Sequence, residues 1–235
     1  MLLLCANTLA QMARKPRRAI ADIPYHVLNR AVARMTLFET FGDYAAFERT
    51  LRSALERTPV RLLSFCLMPT HWHLVVWPRQ DGQLTDFVRW LTHTHAMRWH
   101  THHGTMGTGH LYQARFKAFP IQDDGHFLTV CRYVERNALR ARLVREAHLW
   151  RWSSLWWRTY ASSASDWLAD WPVPRPSDWL RYVHQPLTAA EIEAVRNSVR
   201  RGTPYGSPAW QLRTAQALSL EHTLRKPGRP PKVRK

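Results

Sequence analysis

Two imidazoles stand one residue apart, His71 and His73, inside the apolar stretch CLMPTHWHLVVWP (66–78). In a β-strand residues i and i+2 project to the same side, so both rings can reach one ion. The other pairs at this spacing, His93/His95 and His100/His102, fall in a segment of helical periodicity. There i and i+2 lie about 200° apart around the axis and cannot share a ligand; these four are read as solvent-facing or phosphate-contacting. A second group lies in RYVERN, where Tyr133 and Asn137 are four residues apart. On a helix they stack on one face, roughly 5–6 Å apart at Cβ, while Phe127, Val130, Cys131 and Val134 occupy other angular positions and could seat the helix on a sheet. The Asn137 amide oxygen could then be a third metal ligand and the Tyr133 phenol would stand beside the ion. A phenol with its free pKa of about 10 is a weak nucleophile at neutral pH. A nearby divalent cation favours the phenolate and polarises a phosphate oxygen for attack. Three neutral ligands leave coordination positions for water and phosphate and suit Mg²⁺ or Mn²⁺; no cysteine is spaced for a closed zinc site. Bland readings compete: hydrogen-bonded core histidines, a tyrosine packed amphipathically and a surface asparagine.

The elements that must position these groups follow from periodicity. YHVLNRAV (25–32) reads as a strand and GDYAAFERTLRSALERT (42–58) as an amphipathic helix. VRLLSFCLM and HWHLVVWP are apolar runs joined at Pro69-Thr70, a hairpin. Residues 84–103 form a second helix with Leu84, Phe87, Leu91 and Met97 near one face; GTMGTG follows as a loop. HLYQARFKAFPI (110–121) alternates as a strand, and 123–144 reads as a third helix with acidic residues at its start. This order predicts an α+β domain, an antiparallel sheet with helices on one side. The expected organisation is a leader or basic arm over 1–20, a catalytic domain over 21–160, a mostly helical or irregular extension for DNA recognition over 161–224, and a flexible basic tail over 225–235. Met12 offers an alternative start.

The 235 residues carry 34 Lys plus Arg against 17 Asp plus Glu, a formal net charge of +17. Such an imbalance calls for a polyanion, and nucleic acid leads. A membrane partner is not expected, because the basic residues are spread over the whole chain and not gathered on one amphipathic helix. The 3 cysteines form no disulfide framework, which points to a reducing cytoplasm; for a basic, DNA-binding chain a bacterial, nucleoid-associated location is expected there.

An ordered set of motifs runs nearly end to end: YHVLNR, MPTHWHLVVWP, GHLYQARFKAF, YVERNALRARLV, WRWSSLWWRTY and RRGTPYGSPAW. In this set the chain resembles the REP-associated tyrosine transposases, a branch of the single-tyrosine HUH transposases. The resemblance implies a ferredoxin-like or RRM-like α+β fold and metal-dependent cleavage and joining of single-stranded DNA, with His71, His73 and Asn137 as metal ligands and Tyr133 as nucleophile. It implies a covalent 5′ phosphotyrosine, a released 3′ hydroxyl and a hairpin-forming repeat as target. One departure is visible: the family usually has proline after the asparagine, and here Ala138 lets the helix continue.

For DNA contact, Gln113, Arg115 and Lys117 alternate along their strand and would share a face with Asn29 and Arg30; a solvated face is the equal alternative. Arg225, Lys226, Arg229 and Lys232 in the tail would add salt-sensitive affinity. Trp150, Trp152, Trp156 and Trp157 are expected to clamp the extension onto the catalytic domain, and not to stack on bases. The chain is read as a monomer or homodimer. The rivals are another HUH nuclease, such as a replication initiator or relaxase, and a DNA-binding regulator without catalysis.

Overall fold

The structure is a computed structural model that describes residues 19–225. Four strands, β1 (Tyr25–Arg30), β2 (Arg61–Met68), β3 (His71–Trp77) and β4 (Lys117–Pro120), form an antiparallel sheet in the order β2-β3-β1-β4. Helix α1 (Phe41–Arg57) crosses from β1 to β2 and α2 (Gln83–His102) from β3 to β4, the ferredoxin-like arrangement. α1 starts at a reciprocal capping box in which Thr40 and Asp43 satisfy one another's backbone N–H groups.

The two crossover helices lie on one face of the sheet. Phe47 and Leu51 of α1 and Leu84, Phe87 and Leu91 of α2 pack with Val27, Phe65, Trp72, Leu74 and Val76. The other face is not open, contrary to the expectation of helices on one side only. It is covered by α3 (Gly125–Glu135), α4 (Asn137–Arg140) and the C-terminal extension, around Leu63, Cys66, Val75, Phe119, Phe127, Trp179 and Val195. The reason lies in β2 and β3, which are apolar at nearly every position: such strands bury both faces. A bulge at Leu63 interrupts the β2–β3 register and lets Leu63 and Ser64 both face α3.

The extension, with α5 (Ser154–Tyr160), α6 (Trp179–His184), α7 (Ala189–Arg201) and α8 (Pro208–Leu218), also occupies both outer strands. Along β2, Leu67 N–H donates to Trp152 O and Ala169 N–H to Leu62 O. The indoles of Trp150 and Trp171 donate to Leu67 O and Leu63 O, both at 2.8 Å. Along β4, Tyr205 N–H donates to Pro120 O and Gln122 N–H to Tyr205 O. Trp152 stacks on Tyr44 at 4.7 Å and Trp157 donates to Glu48 at 2.9 Å, so these tryptophans hold their own segment, inside the span expected for the catalytic domain, onto α1; Trp157 also meets Trp167 of the following segment edge-on at 5.2 Å.

Three other expectations change. The strand expected over 110–121 forms only at Lys117–Pro120, with an isolated bridge between Tyr112 and Ala31; residues 113–115 are bends. On α2 the apolar face continues through His95, which is buried, while Met97 is exposed. Leu84, Phe87, Val88, Leu91 and His95 fall on one helical stripe, and the Tyr112 hydroxyl satisfies His95 Nδ1 at 2.7 Å. The third helix ends before 144. α3 breaks at Arg136, whose guanidinium donates to the Val183 and His184 carbonyls at the end of α6. The chain winds on through α4 and stops where Arg142, at φ 59°, donates to Leu139 O and Leu143 to Ala138 O, a left-handed helix ending.

Candidate active site

The β2–β3 turn is fixed from outside. Leu37 and Phe38 donate to Pro69 O and Ala31 to Thr70 O, so His71 enters β3 in a set register, with Arg30 directly opposite. His71 and His73 project onto the α3 face, their ring centroids 5.0 Å apart. Each Nδ1 is engaged: His71 with Thr70 Oγ1 at 3.0 Å and His73 with His26 Nε2 at 2.8 Å. Burial pushes His26 down to about 3 and His71 to about 4; it holds His73 well below the ordinary imidazole value, helped by His26, His71, Arg140 and Arg30. All three rings are therefore neutral at pH 7, the form in which imidazole binds metals. The His26–His73 bond has two tautomeric arrangements. Only the one in which His73 Nδ1–H donates leaves its Nε2 lone pair free.

α3 brings Tyr133 to this edge. Asp124 caps the helix by accepting from His126 N–H at 2.8 Å, and the helix is buried nearly all round between sheet and extension. Its tightest anchor is Glu135, fully buried, whose carboxylate accepts from Ser64 Oγ (3.2 Å), Ser154 Oγ (2.6 Å) and Trp179 Nε1 (2.7 Å). One side chain thus ties α3 to β2, α5 and α6. Two residues earlier, the Tyr133 ring meets His73 edge-on, centroids 6.0 Å apart. One and two turns on, Asn137 and Arg140 complete the same helix face. The Arg140 guanidinium lies 4.4 Å from the Tyr133 ring centroid and donates from Nη2 to Asn137 Oδ1 at 2.7 Å. Among the described residues the Tyr133 hydroxyl has no hydrogen-bond partner.

The match with known proteins decides the family at this point. The model of the family described as "Transposase IS200 like" matches residues 19–137, just over half of the chain. The chain belongs to the IS200-like transposases. The matched segment begins before β1 and ends at Asn137, so it includes both histidines and Tyr133. Among solved structures, the chain is similar to the REP-associated tyrosine transposase bound to a REP hairpin, at 16% identity and a TM-score of 0.47, covering 75% of this chain and 98% of that one. It is also similar to a Deinococcus radiodurans r1 protein assigned as a transposase, at 17% identity and a TM-score of 0.38, covering 56% and 92%. No curated protein matches the sequence.

IS200-like transposases with this motif set imply a divalent metal, and the donor set can be tested against it. His71 and His73 fit: both are neutral, and both have Nδ1 engaged by a partner that can hold the ring, the usual support for a metal-ligating imidazole. Asn137 fits less simply, because Oδ1, its one ligating atom, already accepts from the charged Arg140 guanidinium, and an ion binding there would compete with that charge. Its Nδ2 is buried without a partner, but that atom is a donor. A different group of side chains, Glu146, His148 and His184, brings three potential ligand atoms together. It is internally bonded: Glu146 pairs with His148 Nε2 at 3.3 Å and Ala147 N–H donates to His184 Nε2 at 3.2 Å. It ties the 146–149 segment to α6.

The expected DNA-contact residues do not form one strand face in this transposase. Asn29 is buried, its Oδ1 accepting from Arg30 N–H at 2.9 Å, and it pairs across from Trp72 on the opposite side of the sheet from His71. Arg30 lies on the His71 side, half-buried. Gln113, Arg115 and Lys117 are exposed, the first two in bends. Arg225 is exposed and its carbonyl accepts from Arg201; Lys226, Arg229 and Lys232 lie outside the described residues, as does the 1–18 segment. Among the described residues no helix is long and apolar enough to cross a membrane, and Cys66 and Cys131 are free and buried.

Sequence reasoning missed three residues. Arg140 was legible: it follows Tyr133 by seven and Asn137 by three, one helical face. Glu135 was hidden as an ordinary surface-type residue of RYVERN. His26 required the β1–β3 register, a non-local fact.

Proposed function

We propose that this chain is a metal-dependent single-stranded DNA endonuclease and strand transferase acting on hairpin-forming repeats, as in the REP-associated branch, with Tyr133 as nucleophile. The observation that carries this reading is the convergence of the Tyr133 ring with His73 across 6.0 Å. Their elements are joined through long-range packing, and the phenol is left without a competing hydrogen bond among the described residues.

In this mechanism Tyr133 Oη attacks the phosphorus of the scissile phosphate and the 3′ hydroxyl leaves, giving a 5′ phosphotyrosine. The P–O bond to the sugar is exchanged for one to the phenol, so an incoming 3′ hydroxyl can reverse the step without ATP. A divalent ion held by His71, His73 and Asn137 would supply Lewis-acid polarisation of a non-bridging oxygen. Arg30 and Arg140 add positive charge at the same edge and make it favourable for a phosphate. Glu135 holds the helix that carries the nucleophile, so attack geometry is set before substrate arrives.

The test is incubation with single-stranded hairpin DNA and Mn²⁺, followed by denaturing electrophoresis. A protein–DNA adduct is expected with the natural chain and none with Tyr133→Phe. An adduct that survives Tyr133→Phe removes this mechanism. No adduct with any hairpin or metal favours a DNA-binding regulator.

A further inference from the structure

Asn137 has one atom able to ligate a cation, Oδ1, and a cation already holds it. The Arg140 guanidinium donates to it at 2.7 Å and lies 4.4 Å from the Tyr133 ring centroid. Rotating the amide offers no alternative, since it would set the NH₂ group against the guanidinium, donor to donor. Asn137 is buried, 3% exposed, so its carbonyl has little water to turn to. We propose that Arg140 is the resident cation of this site: it holds Asn137 Oδ1 in the DNA-free protein, and a divalent ion that takes this oxygen as its third ligand must compete with the guanidinium for it.

This inference rests on the proposed metal site and goes beyond it, by stating what occupies the site's third corner and what loading must overcome. Two effects act in the same direction. The guanidinium takes the ligand atom through a charge-assisted bond, and its charge repels a second cation nearby. The helix face enforces the arrangement: Tyr133, Asn137 and Arg140 recur at i, i+4 and i+7, and the left-handed turn at Arg142 ends α4 directly after Arg140. A phosphate offers a guanidinium a charged, forked acceptor. A bound DNA backbone therefore draws Arg140 from the amide in the same direction as its removal would. The site is arranged to hold its ion weakly until substrate arrives.

The experiment is a Mn²⁺ titration of the full chain without DNA, with free Mn²⁺ read by electron paramagnetic resonance. The variants are Arg140→Met, Asn137→Ala, their combination and His73→Ala, with Arg140→Gln as a second removal of the charge and thermal melts to verify folding. Arg140→Met is expected to tighten Mn²⁺ binding about tenfold, the effect of losing one charge-assisted bond; Asn137→Ala and His73→Ala should weaken it. In the Asn137→Ala background the gain should shrink to a fraction of that, because the contested atom is gone and only the charge effect remains. Unchanged or weaker binding in both Arg140 variants, with His73→Ala still impaired, overturns the competition while the metal site stands. A gain that persists in full without Asn137 also overturns it, since Arg140 would then act through charge alone. Binding indifferent to His73→Ala removes the metal site and this inference with it.

Discussion

His26 and His73, 47 residues apart in sequence, share a 2.8 Å hydrogen bond between Nε2 and Nδ1 in the buried face of the sheet. His26 is itself held against Phe119, ring centroids 4.8 Å apart. It acts as a positioning residue, since it sets which His73 nitrogen carries the proton. Outer partners of metal-ligating histidines typically contribute 10- to 100-fold in affinity. His26→Phe should weaken Mn²⁺ binding by about tenfold, and His26→Gln, which retains an acceptor, should recover part of it. Nitrogen-15 spectra of the metal-free protein should show His73 protonated at Nδ1 in the natural chain and the balance shifted toward Nε2–H in His26→Phe. An unchanged tautomer there would remove the assigned role.

Glu135 makes a different demand, on stability. Replacing it with alanine leaves the Trp179 indole N–H buried without its acceptor, while Ser64 and Ser154 keep each other at 3.0 Å and Ser154 also reaches Phe65 O at 3.2 Å. Orphaning a buried donor costs about 1–3 kcal/mol, offset in part because the buried carboxylate is itself costly to desolvate. The expected net loss for Glu135→Ala is about 1–3 kcal/mol by urea unfolding, with a smaller loss for Glu135→Gln. Because the group anchors the helix of Tyr133, adduct formation should fall even at temperatures where the variant remains folded. Full activity in a destabilised variant would separate the anchor from the chemistry.

Gly206 belongs to the PYGSPAW motif, whose role lies in packing. A Cβ there would stand 2.6 Å from Trp210 Cε3 and 2.7 Å from Gln122 Oε1, and Gln122 Oε1 also accepts from Ser207 N–H at 2.8 Å. Gly206→Ala should destabilise the chain by about 1–3 kcal/mol, the usual range for overpacking. Differential scanning fluorimetry would show a lowered melting temperature; an unchanged one would mean that this junction yields freely.

Acid should loosen the fold through His95. Burial pushes its pKa to about 3, with Asp43 opposing and His103 reinforcing the shift, against an ordinary value near 6.5 in the unfolded chain. Between those values the unfolded state binds a proton that the folded state refuses. The stabilisation is thus fully present above about pH 6.5 and is lost as pH falls toward 3. Each such group contributes a slope of up to about 1.4 kcal/mol per pH unit. His95→Gln, which can still reach the Tyr112 hydroxyl, should flatten the stability–pH curve between pH 6 and 4 by an amount approaching that slope. A curve of unchanged steepness would show that His95 is not the group that titrates.

How much of this was legible in the sequence depends on how local the determining interactions are. The period-2 run around His71 and His73 is a property of one strand, and the pair is where periodicity placed it; Tyr133 and Asn137 keep their four-residue spacing on one face although the helix breaks between them at Arg136. The α+β class followed from the alternation of runs, and the ferredoxin-like order from the resemblance of the motif set. What failed was non-local. Residues 110–116 have a strand's alternation but only one bridge, through Tyr112, because β1 ends at Arg30 and leaves them little to pair with. His95 looked like a surface histidine until the apolar stripe of α2 and the Tyr112 hydroxyl enclosed it. The second apolar face of β2 and β3 was written in their composition, yet the helices that cover it begin only at Gly125, in a distant part of the chain.

The occupied rims of the sheet have a consequence for assembly. With Trp152, Ala169 and the Trp150 and Trp171 indoles bonded along β2, and Tyr205 alongside the end of β4, main-chain groups that could template another chain are already taken at these positions. Lateral growth of the sheet by a second copy is blocked there. Two copies that meet at these rims would do so through the C-terminal segment that lines them, and through side chains on its helices and loops.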